Sequence, residues 1–126
     1  MHAPITALYA GLLGLLYLVL AFRVVAVRRA TSIGLGDGGN ALLFSRIRIH
    51  GHAAEYIPFA LLLMLILEIN GGSPTWMHAL GIALVIGRIA HVQGLSESAG
   101  TSTGRLVGNM LTWVVILLAA VRNIVG

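Results

Sequence analysis

The chain has 126 residues, of which 58% are hydrophobic and 10% are charged, and its mean hydropathy is +0.95. Soluble domains carry about 25% charged residues, so this composition excludes an ordinary soluble domain and predicts a single membrane domain over residues 1–126. Eight arginines and four acidic residues give a formal net charge of +4, and because cytoplasmic arginine is common in membrane proteins we expect no nucleic-acid partner. The absence of cysteine excludes disulfides, thiolate metal ligands and a nucleophilic thiol belonging to the protein.

The first predicted element is a membrane helix over residues 4–29. The run Ile5–Phe22 contains 18 residues without a charge, which at about 1.5 Å per residue nearly crosses a hydrocarbon core of about 30 Å. Its start has no arginine, whereas Arg23, Arg28 and Arg29 follow it. That order is typical of a membrane helix with a positive stop rather than of a cleaved signal peptide, which begins with basic residues.

Two loops and a tight turn separate three further apolar segments. The glycine-rich loop Thr31–Asn40, the turn Asn70–Pro74 and the polar loop Ser96–Gly104 are the breaks. They predict four membrane helices, at roughly 4–29, 41–69, 75–95 and 105–123. The predicted fold class is therefore all-α, an integral membrane four-helix bundle. Small residues suited to close helix contacts are Gly11, Gly14, Gly81 and Gly87.

The distribution of arginine predicts the orientation of the bundle. The first connection and its flanks hold five arginines, namely Arg23, Arg28, Arg29, Arg46 and Arg48. The third connection is flanked by Arg88 and Arg105, whereas the turn between the second and third helices has Glu68 and no arginine. Because positive residues favour the cytoplasmic side, we expect the first and third connections in the cytoplasm and both termini outside.

A polar stretch precedes the apolar run Ile57–Leu67 of the second helix. It contains, in order, Arg48, His50, His52, Glu55 and Tyr56. Helical spacing puts Arg48, His52 and Glu55 on one face and His50 roughly opposite, and on the third helix it puts Arg88 and His91 on one face. Glu55 and Arg88 both lie roughly 23–26 Å from the turn between their helices, which predicts that they share one level near the cytoplasmic side. Charge within a membrane usually marks a site.

The residues alone leave three interpretations of this polar level. In the first it is structural, and Glu55 pairs with Arg88 to tie two helices together. In the second it is a pocket in which arginines bind carboxylates and Glu55 holds an ammonium group. In the third, Glu55 and the histidines, including His91, bind a metal. His50 and His52 lie on opposite helix faces and cannot share one ion, so we expect no metal site.

Two motifs resemble those of a known family. They are R-I-H-G-H-A-A-E-Y-I-P at residues 48–58 and G-R-I-A-H at residues 87–91. With the four spans, they resemble the MAPEG family, the membrane-associated proteins in eicosanoid and glutathione metabolism, and above all its small bacterial inner-membrane members. The resemblance covers nearly the whole chain. It implies a homotrimer in the inner membrane, with a glutathione site between neighbouring subunits near the cytoplasmic side.

The resemblance also implies which residues form the site. The residues that match the family's glutathione contacts are Arg28 or Arg29 on the first helix, Arg48, His50, His52, Glu55 and Tyr56 on the second, and Arg88 and His91 on the third. Arg105, near the start of the fourth helix, matches the catalytic arginine that stabilises the glutathione thiolate. His52 replaces the asparagine usual in the family, and Leu95 replaces a tyrosine found in several catalytic members.

The implied activity is that of a glutathione transferase or peroxidase, with glutathione as co-substrate. Arginines suit the two carboxylates of glutathione, Glu55 suits its ammonium group, and a guanidinium lowers the pKa of its thiol toward the reactive thiolate. The thiolate would attack a small lipophilic substrate that arrives from the membrane lipid. The alternative is a non-catalytic membrane protein whose arginine, glutamate and histidine cluster is structural or binds a ligand.

Overall fold

Four long helices make up most of the chain that the structure describes. The computed structural model describes residues 2–97 and 103–126, and these residues contain no strand. The helices are α1 Pro4–Thr31, α2 Ala41–Ile69, α3 Pro74–Glu97 and α4 Thr103–Val125. All four are long and apolar enough to cross a membrane. The prediction of an all-α fold with four membrane helices is confirmed.

The end of α1 lies two residues beyond the predicted residue 29 because its last turn has its own partners. The Thr31 hydroxyl donates to the backbone carbonyl one turn earlier, at 2.7 Å. Ser32 then takes a left-handed conformation, with φ 57°, and ends the helix. The Arg28 Nη1 atom donates to the carbonyls of Ile33 and Gly36, at 3.2 and 2.9 Å. This side chain therefore holds the start of the α1–α2 loop against the end of α1.

The α1–α2 loop turns back at Asp37 and leads directly into α2. The Asp37 Oδ1 atom accepts a hydrogen bond from the backbone N–H of Gly39 at 2.9 Å. Gly39 itself has a φ of 79°, a left-handed conformation that glycine adopts without strain. Asn40 then caps α2, since its Oδ1 atom accepts from the backbone N–H of Leu43 at 2.9 Å. The loop is thereby fixed beside the first turns of α2.

Glu68 joins α1 to α2 at the opposite end of the bundle. Its carboxylate accepts hydrogen bonds from the backbone N–H groups of Ile5 and Thr6, at 3.0 and 2.7 Å. These two groups belong to the first turn of α1, where N–H groups lack a partner within the helix and the helix dipole favours negative charge. A carboxylate from the end of α2 thus caps the start of α1.

Glycines allow two close contacts between helices, α3 with α4 and α1 with α3. Gly108 on α4 is so near to α3 that a Cβ atom there would lie 2.6 Å from the backbone nitrogen of His91, and a Cβ atom at Gly87 would lie 2.9 Å from the Cβ atom of Leu111. On α3, Gly81 makes room for the ring of Tyr9 from α1. Two of the predicted contact glycines therefore lie at helix contacts, whereas Gly11 and Gly14 have open space around them.

Apolar side chains occupy both the interior and the outer surface. The interior contains residues from all four helices, such as Leu13, Met64, Leu84 and Val115, which are almost fully buried. Large apolar residues are also exposed along every helix, including Leu15, Ile82 and Leu117. An outward apolar surface of this extent suits helices that contact lipid or other membrane helices.

Candidate functional site

A cavity of about 380 Å³ lies at the end of the bundle where the α1–α2 loop meets the start of α2 and α4 and the last turns of α3. The loop, α2, α3 and α4 all contribute to its wall. Its lining residues are Asp37, Gly39, Asn40, Ala41, Phe44, Ser45, Arg48, His52, His91 and Arg105. Charged and polar groups therefore converge on a cavity of a size that suits a small ligand.

Four residues predicted for the site line this cavity together. Arg48 and His52 come from α2, His91 from α3 and Arg105 from α4. Arg105 is partly buried, two residues after α4 begins at Thr103. The three helices thus bring two guanidinium groups and two imidazole rings to one wall, although α2, α3 and α4 contribute segments that lie far apart in the chain.

Arg88 lies behind the two imidazole rings and is fully buried. Its Nη2 atom is 2.8 Å from the Nδ1 atom of His52 and 3.3 Å from the Nδ1 atom of His91. Its Nη1 atom donates to the Thr112 hydroxyl at 3.4 Å, and that hydroxyl donates to the carbonyl of Gly108 at 2.9 Å. One guanidinium group therefore connects α2, α3 and α4 directly beneath the cavity.

The two histidine rings that contact Arg88 are stacked on each other. Their centroids are 4.0 Å apart and their planes differ by 21°. On the far side of His52, the Tyr56 ring stacks at 4.4 Å with an angle of 25°. Tyr56, His52 and His91 therefore form a stack of three rings, of which the two histidines reach the cavity.

The structural interpretation, in which Glu55 pairs with Arg88, does not describe the single chain. The Glu55 carboxylate instead lies 3.8 Å from the Nη2 atom of Arg48, and the side chains of Arg48 and Glu55 are 48% and 58% exposed. Glu55 does not line the cavity, because helical spacing places it beside Arg48 and its carboxylate faces outward. An exposed pair of this kind contributes little to stability, so it does not tie helices together.

His50 faces away from the cavity, as helical spacing predicts. Its ring lies 4.7 Å from the ring of Tyr17 on α1, whereas His52 contacts Arg88 and His91 on α3. In the part of the chain that the structure describes, no three histidine or acidic side chains come together in a geometry that could hold a metal.

The arginines at the end of α1 lie outside this cavity. Arg28 donates to loop carbonyls, and Arg28 and Arg29 line a separate, shallower cavity of about 330 Å³ with Ser32 and Ile33. The side chain of Leu95, which replaces a tyrosine found in several catalytic members, lies outside the described part of the structure. Residues 98–102, which belong to the predicted polar loop, also lie outside it.

Several residues of the site are not apparent from the motifs. Asp37 is the one acidic residue of the glycine-rich loop, and its position in the cavity wall depends on the path of the loop. Asn109 on α4 lies beside His52. An asparagine within an apolar helix is a signal that could have identified it.

Comparison with known proteins agrees with this architecture. The sequence model of the MAPEG family matches residues 6–125. The chain is 43% identical over 121 residues to the inner membrane protein YecN of Escherichia coli strain K12, covering 95% of this chain and 90% of that protein. YecN of the O6:H1 strain of Escherichia coli matches with the same identity and coverage. The chain is therefore a member of the MAPEG family.

Proposed function

We propose that this protein binds glutathione in the inner membrane and transfers it to a lipophilic electrophile. The observation that carries the proposal is the cavity of about 380 Å³ with Arg48 and Arg105 in its wall. The membership of the MAPEG family supports a role in glutathione or eicosanoid chemistry. The name of the related protein YecN supports the location in the inner membrane.

The charges of the cavity wall complement those of glutathione. Glutathione carries two carboxylates and one ammonium group, and the wall offers the guanidinium groups of Arg48 and Arg105 together with the carboxylate of Asp37. Because Glu55 lies outside the wall and beside Arg48, Asp37 is the better acceptor for the ammonium group within one subunit. Glu55 then orients Arg48 from the outer side.

A homotrimer would complete the site from neighbouring subunits. Glu55 and Arg29 are exposed in the single chain, and Arg28 lies in a second cavity near the same end of the bundle. Residues in such positions would contact a ligand that is bound between neighbouring subunits. A trimer with the site between subunits therefore gives a role to the predicted contacts that the cavity of one subunit leaves out.

The proposed reaction begins with ionisation of the glutathione thiol. The guanidinium of Arg105 stabilises the thiolate, since a nearby positive charge favours the charged form of the sulfur. The thiolate attacks the electrophilic carbon of a lipophilic substrate, a carbon–sulfur bond forms, and the leaving group departs with the electron pair. The chain has no cysteine of its own, so the reacting sulfur comes entirely from the ligand.

A structural role for the cluster is the second candidate, and the burial of Arg88 favours it. Arg88 contacts His52, His91 and Thr112 on three different helices, as a residue that stabilises the bundle would. Under this candidate the protein does not respond to glutathione, whereas variants of Arg88 lose stability. Ligand-dependent melting distinguishes the two candidates.

The test is the melting temperature of the detergent-solubilised protein with and without millimolar glutathione. Binding to the folded state stabilises it by about 2.7 kcal/mol when the ligand is present at 100 times its Kd, so the melting temperature should rise with dose. S-methyl glutathione should act similarly, because the carboxylates and the ammonium group supply the binding.

Arg48→Ala should abolish this rise, because it removes a guanidinium from the cavity wall. Arg122→Ala is the matched control, since Arg122 is an exposed arginine near the end of α4, at a different cavity. An intact oligomer with no shift at any glutathione concentration would overturn the proposal and leave the structural role.

A further inference from the structure

The contacts of Arg88 determine which nitrogen of two histidines carries the proton. The Nη2 atom of a guanidinium has two N–H groups, and it can donate hydrogen bonds but cannot accept them. Here Nη2 lies 2.8 Å from the Nδ1 atom of His52 and 3.3 Å from the Nδ1 atom of His91. Each Nδ1 atom must therefore accept, and an accepting ring nitrogen carries no proton. In a neutral ring the proton is then on Nε2.

The same contacts turn the Nδ1 atoms of both rings away from the ligand. His52 and His91 line the cavity, whereas Arg88 is fully buried and does not. Since Nδ1 of each ring is directed to Arg88, the nitrogen left for the cavity is Nε2 with its hydrogen.

We propose that Arg88 is a positioning residue that fixes His52 and His91 as Nε2–H donors toward the cavity. Next to Arg48 and Arg105, the two rings make this part of the wall a set of hydrogen-bond donors, which selects an anionic ligand such as a carboxylate. The identity of that ligand as glutathione rests on the proposed function. The protonation of the rings does not, because it is a property of the protein without ligand.

With the proton on Nε2, neither His52 nor His91 can act as the base that ionises the thiol. A histidine that removes the thiol proton needs an unprotonated nitrogen on the cavity side. Arg88 leaves both His52 and His91 with a hydrogen there, so neither ring is the base. Ionisation of the thiol then depends on stabilisation of the thiolate by Arg105, and the proton leaves to solvent.

The test is nitrogen-15 NMR of the protein with labelled histidine, in detergent at neutral pH and without glutathione. The chain has five histidines, and His52→Gln and His91→Gln assign the two signals of interest. Couplings to the ring protons distinguish Nε2 from Nδ1. We expect a protonated Nε2 and an unprotonated Nδ1 in both rings. A protonated Nδ1 in either ring would overturn the proposal.

Arg88→Met tests the cause, because it removes the donor and retains an unbranched side chain. We expect His52 and His91 to lose their single protonation pattern, while His78, which contacts the Tyr9 hydroxyl, keeps its signals. Thr112→Val is the matched control, since it removes a hydrogen bond to Arg88 and leaves both imidazole contacts. If the protonation of His52 and His91 is the same in folded Arg88→Met, then a group other than Arg88 determines it, and the positioning role of Arg88 is rejected. If Arg88→Met does not fold, the signals of His52 and His91 in the unaltered protein still test the proposal, because a protonated Nδ1 would overturn it.

Glutathione titration separates this inference from the proposed function. We expect Arg88→Met to weaken binding about tenfold, the effect of losing one to two oriented hydrogen bonds. If the signals of His52 and His91 show protonated Nε2 atoms but glutathione does not bind, the positioning role stands and the proposed ligand is rejected. If glutathione binds but Nδ1 of either ring is protonated, the proposed ligand stands and the positioning role is rejected.

Discussion

At the level of single residues, Arg48 and Arg105 reach one cavity from different helices and have different surroundings. Arg48 is 48% exposed and lies beside Glu55, whereas Arg105 is partly buried near the start of α4. An exposed arginine that a carboxylate orients suits binding of a ligand carboxylate. A more enclosed guanidinium has a stronger effect on a nearby sulfur, because less water screens its charge.

Arg105→Ala should therefore lower turnover more than binding. Removing a group that stabilises developing negative charge costs about 10² to 10³ in kcat. The measurement is conjugation of glutathione to a nitroaromatic electrophile, with glutathione affinity determined in parallel. Arg105→Lys should retain part of the rate, and Arg122→Ala should retain all of it. Equal losses of affinity and rate would make Arg105 a binding residue.

Asp37→Asn should weaken glutathione binding about tenfold if its carboxylate receives the ammonium group, as expected for a lost charge-assisted hydrogen bond. The measurement is calorimetric titration with glutathione and with an analogue that lacks the amino group. The analogue should bind Asp37→Asn and the unaltered protein equally. Glu55→Gln is the control, and a larger loss there than in Asp37→Asn would return the ammonium contact to Glu55.

Sequence reasoning at this scale succeeded within a helix and failed between helices. Spacing along α2 fixes direction around that helix, so it correctly grouped Arg48 with Glu55 and separated His50 from His52. Counting residues from a turn gives the depth of Glu55 and Arg88 but not the direction of their side chains, so it left open whether the two residues pair. Asp37 was missed because no periodic pattern describes the path of a glycine-rich loop.

At the level of elements, the helices were predictable and their packing was not. Long apolar runs and glycine-rich breaks give the four spans, and the observed ends differ from the predicted ones by at most two residues, where caps and polar contacts extend the helices. The contact of α3 with α4 depends on backbone atoms meeting at Gly87 and Gly108. A glycine in the sequence does not reveal which helix it touches.

Gly108→Ala should separate α3 from α4 and disturb the site. An added Cβ atom would lie 2.6 Å from the backbone nitrogen of His91, so the helices must shift, at a cost of about 1–3 kcal/mol. The measurement is the free energy of unfolding in detergent mixtures, together with glutathione affinity. Gly14→Ala is the control, since open space surrounds Gly14 and alanine favours helices. Equal stability of the two variants would contradict the close α3–α4 packing.

Glu68→Ala should destabilise the pairing of α1 with α2 by about 1–2 kcal/mol, the usual effect of removing a helix cap. The carboxylate is the acceptor for two N–H groups in the first turn of α1. Unfolding in detergent mixtures measures the loss, and Asn70→Ala, at an exposed position nearby, is the control. Because Glu68 lies at the opposite end of the bundle from the cavity, glutathione affinity of the folded variant should not change.

At the level of the whole molecule, half of the predicted site is exposed in the single chain. Glu55 and Arg29 are exposed, and Arg48 is half-exposed at the edge of the cavity. Sequence periodicity identifies a membrane helix but does not distinguish a surface that faces lipid from one that faces another subunit, because both are apolar. The subunit number was therefore available only from the resemblance to the family.

We expect the detergent-solubilised protein to have three times the 13.3 kDa mass of one chain. Native mass spectrometry measures this directly, and glutathione should bind in proportion to the number of subunit interfaces. A monomer that binds glutathione as tightly as the trimer does would place the complete site within one subunit.

The pairing of the helices has a consequence for the order in which the protein is made. Contacts at both ends stabilise the first hairpin, α1 with α2: Arg28 holds the connecting loop and Glu68 caps the open end. The second hairpin, α3 with α4, packs through its glycines. The cavity has walls from both hairpins, and Arg105 comes from α4, which follows the other three helices in the chain. During biosynthesis α1 and α2 are thus made before α3 and α4, and the cavity can form only once α4 has joined the other helices.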